Sequence, residues 1–200
     1  LVRHTSVALP KEVCYGYTDV PLKETFEEEA TVVRRNLEAM GIAFDAVFCS
    51  PLSRCRKLAA FCGYSAVDDS RLMELNFGDF EMMTFDDIYK DPRSKSFYED
   101  FFNNRVPNGE SFGDQLQRVR SFLEQLKSGA LAPGAENVLL FTHGGVLLCA
   151  QIVAGVVKRE ESPAKDELIA DAIDSPKLGS EKAWSTWSGC SQPAKMDVEA

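Results

Sequence analysis

Three short apolar runs, each stopping at residues equipped for chemistry, constrain this chain most. Leu1-Val2 ends in Arg3-His4, Ala46-Val47-Phe48-Cys49 ends in Ser50-Pro51, and Val138-Leu139-Leu140-Phe141 ends in Thr142-His143-Gly144-Gly145. Runs this short and this apolar read as buried strands. Between them, apolar residues recur at intervals of three and four. Residues 24–41 place Phe26, Ala30, Val33, Leu37 and Met40 on one stripe with Gly41 as a stop, which predicts an amphipathic helix. Ser50-Pro51 offers an N-cap and a proline at the first helical position, so a helix is expected from Pro51 to Cys62 with Arg54 in its first turn. Ser111 caps a third helix, marked by Phe112, Leu116, Val119, Phe122 and Leu126 and ending before Gly129, and a fourth is expected over Val146–Val156. Strands alternating with helices in this order predict an α/β three-layer sandwich, with a mostly parallel central sheet and helices on both faces. Residues 77–102 are aromatic and acidic without one clean period, and are expected to form short helices covering the sheet.

A chain of 200 residues can bury one substantial core. The expected division is a catalytic domain over 1–159 and a divergent acidic tail over 160–200. In the tail, Ser162-Pro163 would start a short helix running to Ile173, and Trp184 and Trp187 either anchor the tail or sit in an extension. The net charge of −9 argues against nucleic acid as a partner, since a surface that neutralises many phosphates needs a basic stripe. Any phosphate recognition must therefore be local. The six cysteines, Cys14, Cys49, Cys55, Cys62, Cys149 and Cys190, show no CxxC spacing and fit packed, reduced thiols. No apolar run is long enough for a membrane span, and no signal-peptide pattern is seen, so a cytoplasmic location is expected. The chain opens within an apparent strand, so further residues are expected to precede Leu1.

His4 and His143 are the only histidines, and each follows an expected strand. Open α/β sheets put ligand chemistry at the carboxyl ends of their strands, so the two predict one shared site. Neutral imidazole can attack phosphorus, and its charge is adjustable near neutral pH. Two guanidiniums, Arg3 and Arg54, offer planar forks of donors matched to phosphate oxygens. Backbone N–H groups at the start of the helix after Ser50 would assist them. Two histidines without a carboxylate at helical ligand spacing make a poor metal set, so neither metal nor other cofactor is expected.

Arg3-His4, Ser50-Pro51-Leu52-Ser53-Arg54, Leu72-Met73-Glu74 with Phe77-Gly78-Asp79-Phe80-Glu81, and Thr142-His143-Gly144 together resemble the histidine phosphatase superfamily, the phosphoglycerate mutase-like proteins. The likeness runs from Leu1 to about Val157. Cys14-Tyr15-Gly16-Tyr17-Thr18-Asp19 with Pro21-Leu22, the extended Ser50-Pro51-Leu52-Ser53-Arg54-Cys55, and Asn108-Gly109-Glu110-Ser111-Phe112 together look most like the α-ribazole phosphatases of cobalamin assembly. The resemblance implies a phosphoglycerate mutase-like fold and a metal-independent phosphomonoesterase whose partner is a small phosphorylated metabolite, α-ribazole 5′-phosphate. In that scheme His4 is the nucleophile and forms a phosphohistidine, Arg3 and Arg54 clamp the phosphate, and a protonated His143 holds its equatorial oxygens. Glu74 is the acid for the leaving group and then the base for water. Gly144 lets backbone approach the ligand, and Tyr15 and Glu110 complete the substrate contacts.

Plainer readings stand beside these. Either histidine can be a satisfied core residue, Arg54 a helix-surface ion pair, and Glu110-Ser111 simple helix-start chemistry. Glu81, Asp79 and Glu110 compete with Glu74 for the acid role, and Tyr15 has the composition of any loop. Thr5 stands where the family usually has glycine, which brings a hydroxyl toward the phosphate or narrows the site. Phosphoglycerate mutase-like transfer, broad sugar-phosphate hydrolysis and a non-catalytic phosphate-binding scaffold are the competing functions.

Overall fold

A computed structural model describes residues 1–155. Four strands, β1 (Val2–Arg3), β2 (Ala46–Cys49), β3 (Val67–Asp68) and β4 (Val138–Thr142), form one sheet in the order β1-β4-β2-β3. All the pairings are parallel. Six α-helices accompany them: α1 (Phe26–Ala39), α2 (Ser53–Phe61), α3 (Phe85–Lys90), α4 (Ser94–Glu99), α5 (Phe112–Lys127) and α6 (Gly144–Val153).

Side chains alternate across a strand, and that alternation builds the layers. Phe48 and Leu140, opposite each other in the register, pack with Leu116, Val119 and Phe122 of α5 and Val146 and Leu148 of α6. Val2, Cys49, Leu139 and Phe141 point the other way, into Ala30, Val33 and Leu37 of α1 and Cys55, Leu58 and Ala59 of α2. With both faces covered, no strand position in the centre can be polar. The expected unbroken apolar runs are thus what a parallel sheet requires.

Four local expectations need correction. Helix α2 starts at Ser53 rather than Pro51, because the chain bends at Pro51 and Leu52, with Leu52 extended, and the Ser53 amide is capped from outside by Asp19 Oδ1 at 3.0 Å. Helix α6 starts earlier than expected, immediately after His143, so Gly144 and Gly145 belong to its first turn. Strand β3 has no counterpart among the expected elements; it has two residues, both exposed at the sheet edge, and so carries no apolar run to read.

The aromatic and acidic stretch does form short helices, α3 and α4, plus a 3₁₀ turn at Gly78–Phe80. They do not cover the sheet. Phe80, Ile88 and Phe97 pack with Cys14, Leu75, Phe77 and Val106 in a separate cluster that contains no strand residue. Ser111 caps α5 as expected, in a reciprocal capping box with Asp114.

Cys14, Cys49, Cys55, Cys62 and Cys149 are free thiols. Among the described residues no helix is long and apolar enough to cross a membrane. The expectations for the acidic tail, including a helix to Ile173 and the places of Trp184, Trp187 and Cys190, lie outside the described residues.

Candidate active site

Strands β1 and β4 are neighbours, with Arg3 opposite Thr142, so the two residues that follow them must meet. The His4 amide donates to the Thr142 carbonyl at 3.0 Å, and the His4 and His143 rings stand 5.1 Å apart at 59°. Parallel pairing of the strand ends thus joins two imidazoles that are far apart in sequence.

Hydrogen bonds give the two rings different roles. His4 Nδ1 lies 2.7 Å from the Thr5 carbonyl, which can only accept, so Nδ1 carries the proton and the Nε2 lone pair is left unshared. His143 has the opposite tautomer. Arg54 Nε can only donate, and it approaches His143 Nδ1 at 3.3 Å; the proton is therefore on Nε2, which donates to Ser50 Oγ at 2.7 Å. Burial first, then the nearby guanidiniums, hold both histidines well below the usual imidazole range: Arg3 and Arg54 act on His4, and Arg54 chiefly on His143. At neutral pH, two uncharged rings face each other, and only His4 has a lone pair available.

Arg54 is fully buried, yet no carboxylate pairs with it among the described residues. It donates from Nη1 to the Thr18 carbonyl at 3.0 Å and from Nη2 to the Gly16 carbonyl at 2.6 Å, and it lies over the Tyr15 ring at 5.3 Å. Arg3 is half-buried, packs its guanidinium over Gly144, and likewise has no described acid as partner. Two cations beside the histidines without a counter-ion among the described residues make the region strongly attractive to an anion.

Glu74 is buried against the first turn of α6. Its Oε1 accepts from the Leu75 amide at 2.9 Å and Gln115 Nε2 at 3.0 Å, and its Oε2 accepts from the Gly145 amide at 3.2 Å. Arg118 braces the same segment. It donates to the carbonyls of Arg71, Met73 and Glu74 while forming a two-pronged ion pair with Glu110.

The structure brings Arg3, His4, Arg54, Glu74, His143 and Gly144 together. Two residues expected to touch substrate are bound up within the protein instead. Glu110 holds the half-buried Arg118 in a two-pronged ion pair and accepts from the Asn76 amide. Tyr15 is buried as the platform beneath Arg54. The amides expected to bind phosphate at the start of α2 are also occupied, Leu52 by Ser50 Oγ and Ser53 by Asp19. Of the competing acids, Asp79 pairs with Arg93, and Glu81 accepts from the amides of Gly16, Tyr17, Thr18 and Phe77. Glu81 therefore shapes the loop whose carbonyls hold Arg54. Gly16 is obligatory there, since a Cβ would overlap the Leu75 carbonyl.

Sequence reasoning missed Ser50 as the partner of His143, reading it as a helix cap. It also missed Gln115, a polar residue one turn from Phe112 and Val119 on the apolar stripe of α5, and that misplaced polarity was the available signal. Cys55 Sγ lies 3.5 Å from His143 Nε2, but burial pushes its thiol far up, so it is no rival nucleophile at neutral pH. The Thr5 hydroxyl is buried without a hydrogen-bond partner among the described residues. No group of three or more His, Cys, Asp or Glu that could hold a metal ion is found among the described residues.

The fold and these side chains define an α/β protein that gathers opposed imidazoles and two guanidiniums, neither paired with a described carboxylate, at the carboxyl edge of a parallel sheet. The chain belongs to the histidine phosphatase superfamily (branch 1), whose model matches residues 1–161. It is 33% identical over 138 residues to the "Probable phosphoglycerate mutase GpmB" of Erwinia tasmaniensis, a match covering 66% of this chain and 62% of that protein. The chain thus spans less than two thirds of that relative's length. Among solved structures, the phosphoglycerate mutase of Thermus thermophilus is similar at 34% identity and TM-score 0.59, covering 74% of this chain and 78% of that one. A candidate alpha-ribazole-5′-P phosphatase from Escherichia coli K-12 is similar at 25% identity and TM-score 0.67, covering 82% and 79%.

Proposed function

We propose that this protein hydrolyses a small phosphate monoester through a phosphohistidine at His4, and that the substrate is α-ribazole 5′-phosphate. One observation carries the reading. His4 Nε2 is the only ring nitrogen of the pair with a lone pair free, and it lies beside two guanidiniums that lack a described carboxylate.

Arg3 and the remaining N–H groups of Arg54 bind the dianion, whose hydrolysis without such charge stabilisation is extremely slow. His4 Nε2 attacks phosphorus, the bond to the ester oxygen breaks, and Glu74 gives that oxygen its proton. Water then attacks the phosphohistidine, Glu74 takes a proton back, and inorganic phosphate leaves with His4 neutral again. His143 is uncharged in the free site. A bound dianion favours its imidazolium, which donates to the equatorial oxygens as charge redistributes.

The substrate rests on the likeness of residues 14–22 and 108–112 to α-ribazole phosphatases and on the Escherichia coli structural relative. The names of the Erwinia and Thermus relatives favour a second reading, phosphoglycerate mutase-like transfer. Transfer differs only in the lifetime of the phosphohistidine, which must outlast water attack until it rephosphorylates a bound product.

The deciding assay measures phosphate release, in chelator, from a panel containing α-ribazole 5′-phosphate and 3-phosphoglycerate, with isomerisation of the latter followed in parallel. The expected result is release from α-ribazole 5′-phosphate above the rest of the panel. Preference for another ester overturns the substrate, and isomerisation without release overturns hydrolysis. His4→Ala should abolish the phosphoenzyme seen by mass under acid-avoiding conditions, and a surviving adduct would mean another nucleophile.

A further inference from the structure

Glu74 has to hold a proton in one half of the proposed cycle and be without it in the other, and its surroundings must accommodate both forms. Three donors reach its carboxyl: the amides of Leu75 and Gly145, and the side-chain amide of Gln115. The backbone amides can only donate, whatever Glu74 carries. Gln115 is different, because rotation about its last bond exchanges an NH2 for a carbonyl oxygen. It is 1% exposed, on the core-facing stripe of α5, where an aliphatic side chain would be ordinary. Its Oε1 is buried with no hydrogen-bond partner among the described residues, so nothing described locks the amide in one orientation.

We infer that Gln115 is the positioning residue for Glu74, donating to its carboxylate and, after a half-turn of the amide, accepting from its carboxylic acid. The inference rests on the reading of Glu74 as the acid and base. With NH2 toward Glu74, the carboxylate is held ready to take a proton from water. With the carbonyl oxygen toward it, the acid is held until its proton passes to the leaving oxygen. Gln115 touches no substrate atom and acts only through Glu74.

The test is Gln115→Met, which keeps length and apolar packing but can neither donate nor accept in this way. Each protein is assayed on an alkyl phosphate, whose leaving group needs a proton, and on p-nitrophenyl phosphate, whose leaving group does not. Read as the pre-steady-state rate of phosphohistidine formation, the expected result is a loss of roughly 10- to 100-fold on the alkyl ester and of about threefold or less on the aryl ester, while hydrolysis of the phosphohistidine slows by the same factor whichever ester formed it. On a Glu74→Gln background the same replacement should cost no further kcat. Equal losses in phosphohistidine formation from both esters, or losses that multiply with those of Glu74→Gln, would overturn the inference while leaving phosphohydrolase activity standing. A wild-type protein inactive on both esters would remove the hydrolytic reading itself and this inference with it. Should Gln115→Met fail to fold, Gln115→Glu carries the test. Two carboxyls sharing one proton should give alkyl-ester activity that falls as pH rises, and a profile matching wild type would refute the coupling.

Discussion

Adding one methyl group at Gly145 should disable the acid while leaving the phosphate site built. A Cβ there would overlap Glu74 Oε1 and lie 2.8 and 2.9 Å from Nε2 and Oε1 of Gln115. All three atoms are buried, and the backbone that would carry the methyl also donates to Glu74 Oε2. Relief requires the carboxyl to retreat by about 1 Å, a displacement that costs on the order of 100-fold in rate when it falls on a reacting group. That corresponds to about 3 kcal/mol in the barrier, with a further ~1–3 kcal/mol of stability lost to overpacking.

Gly144 is the internal control. A Cβ on it would stand 3.6 to 3.9 Å from the Arg3 guanidinium, ordinary contact with the end of a flexible side chain. Gly144→Ala should therefore keep kcat within about threefold and act on KM, since Arg3 binds rather than transfers protons. Steady-state kinetics on an alkyl phosphate, with thermal melts to confirm folding, separate the two. Equal kcat for Gly144→Ala and Gly145→Ala would refute the placement of Glu74 as the proton donor.

Two further outcomes follow from the same contacts. Both histidines titrate below their ordinary value of 6.5 in the folded protein, so below that pH the unfolded chain binds more protons and stability falls with acidification. The slope should reach about 1.4 kcal/mol per pH unit for each histidine. Urea melts between pH 7.5 and pH 5.5 should show a smaller slope for His143→Gln than for wild type, and identical slopes would refute the depressed values. Glu81→Ala strands four backbone amides and should cost about 3 kcal/mol. It should also weaken vanadate binding, because the loop that holds Arg54 loosens, and unchanged melting and vanadate affinity would show that the loop is held by other means.

Local patterns sufficed for the layers of this protein. The apolar runs at 46–49 and 138–141 are strands because a buried parallel strand needs no polar face, and the stripes of α1 and α5 are legible because an amphipathic helix needs one. Histidine and arginine at the run ends marked a site because few side chains combine charge, nucleophilicity and donor geometry. The weakest readings fell where local pattern is absent, as in the two exposed residues of β3 and the separate aromatic cluster around Phe80.

Only the tertiary structure decided which residues do what within the site. Tautomers of His4 and His143 depend on the Thr5 carbonyl and the Arg54 guanidinium, neither of which any spacing in the chain specifies. Glu110 and Glu81 look like candidate acids in sequence, but Arg118 and four backbone amides occupy them; Gln115 looks like a misplaced surface residue, yet it meets Glu74. Hydrogen bonding and desolvation act over a few ångströms in space, and contacts such as Gln115 with Glu74 and His143 with Ser50 join residues 41 and 93 positions apart, so their assignment waits on the fold.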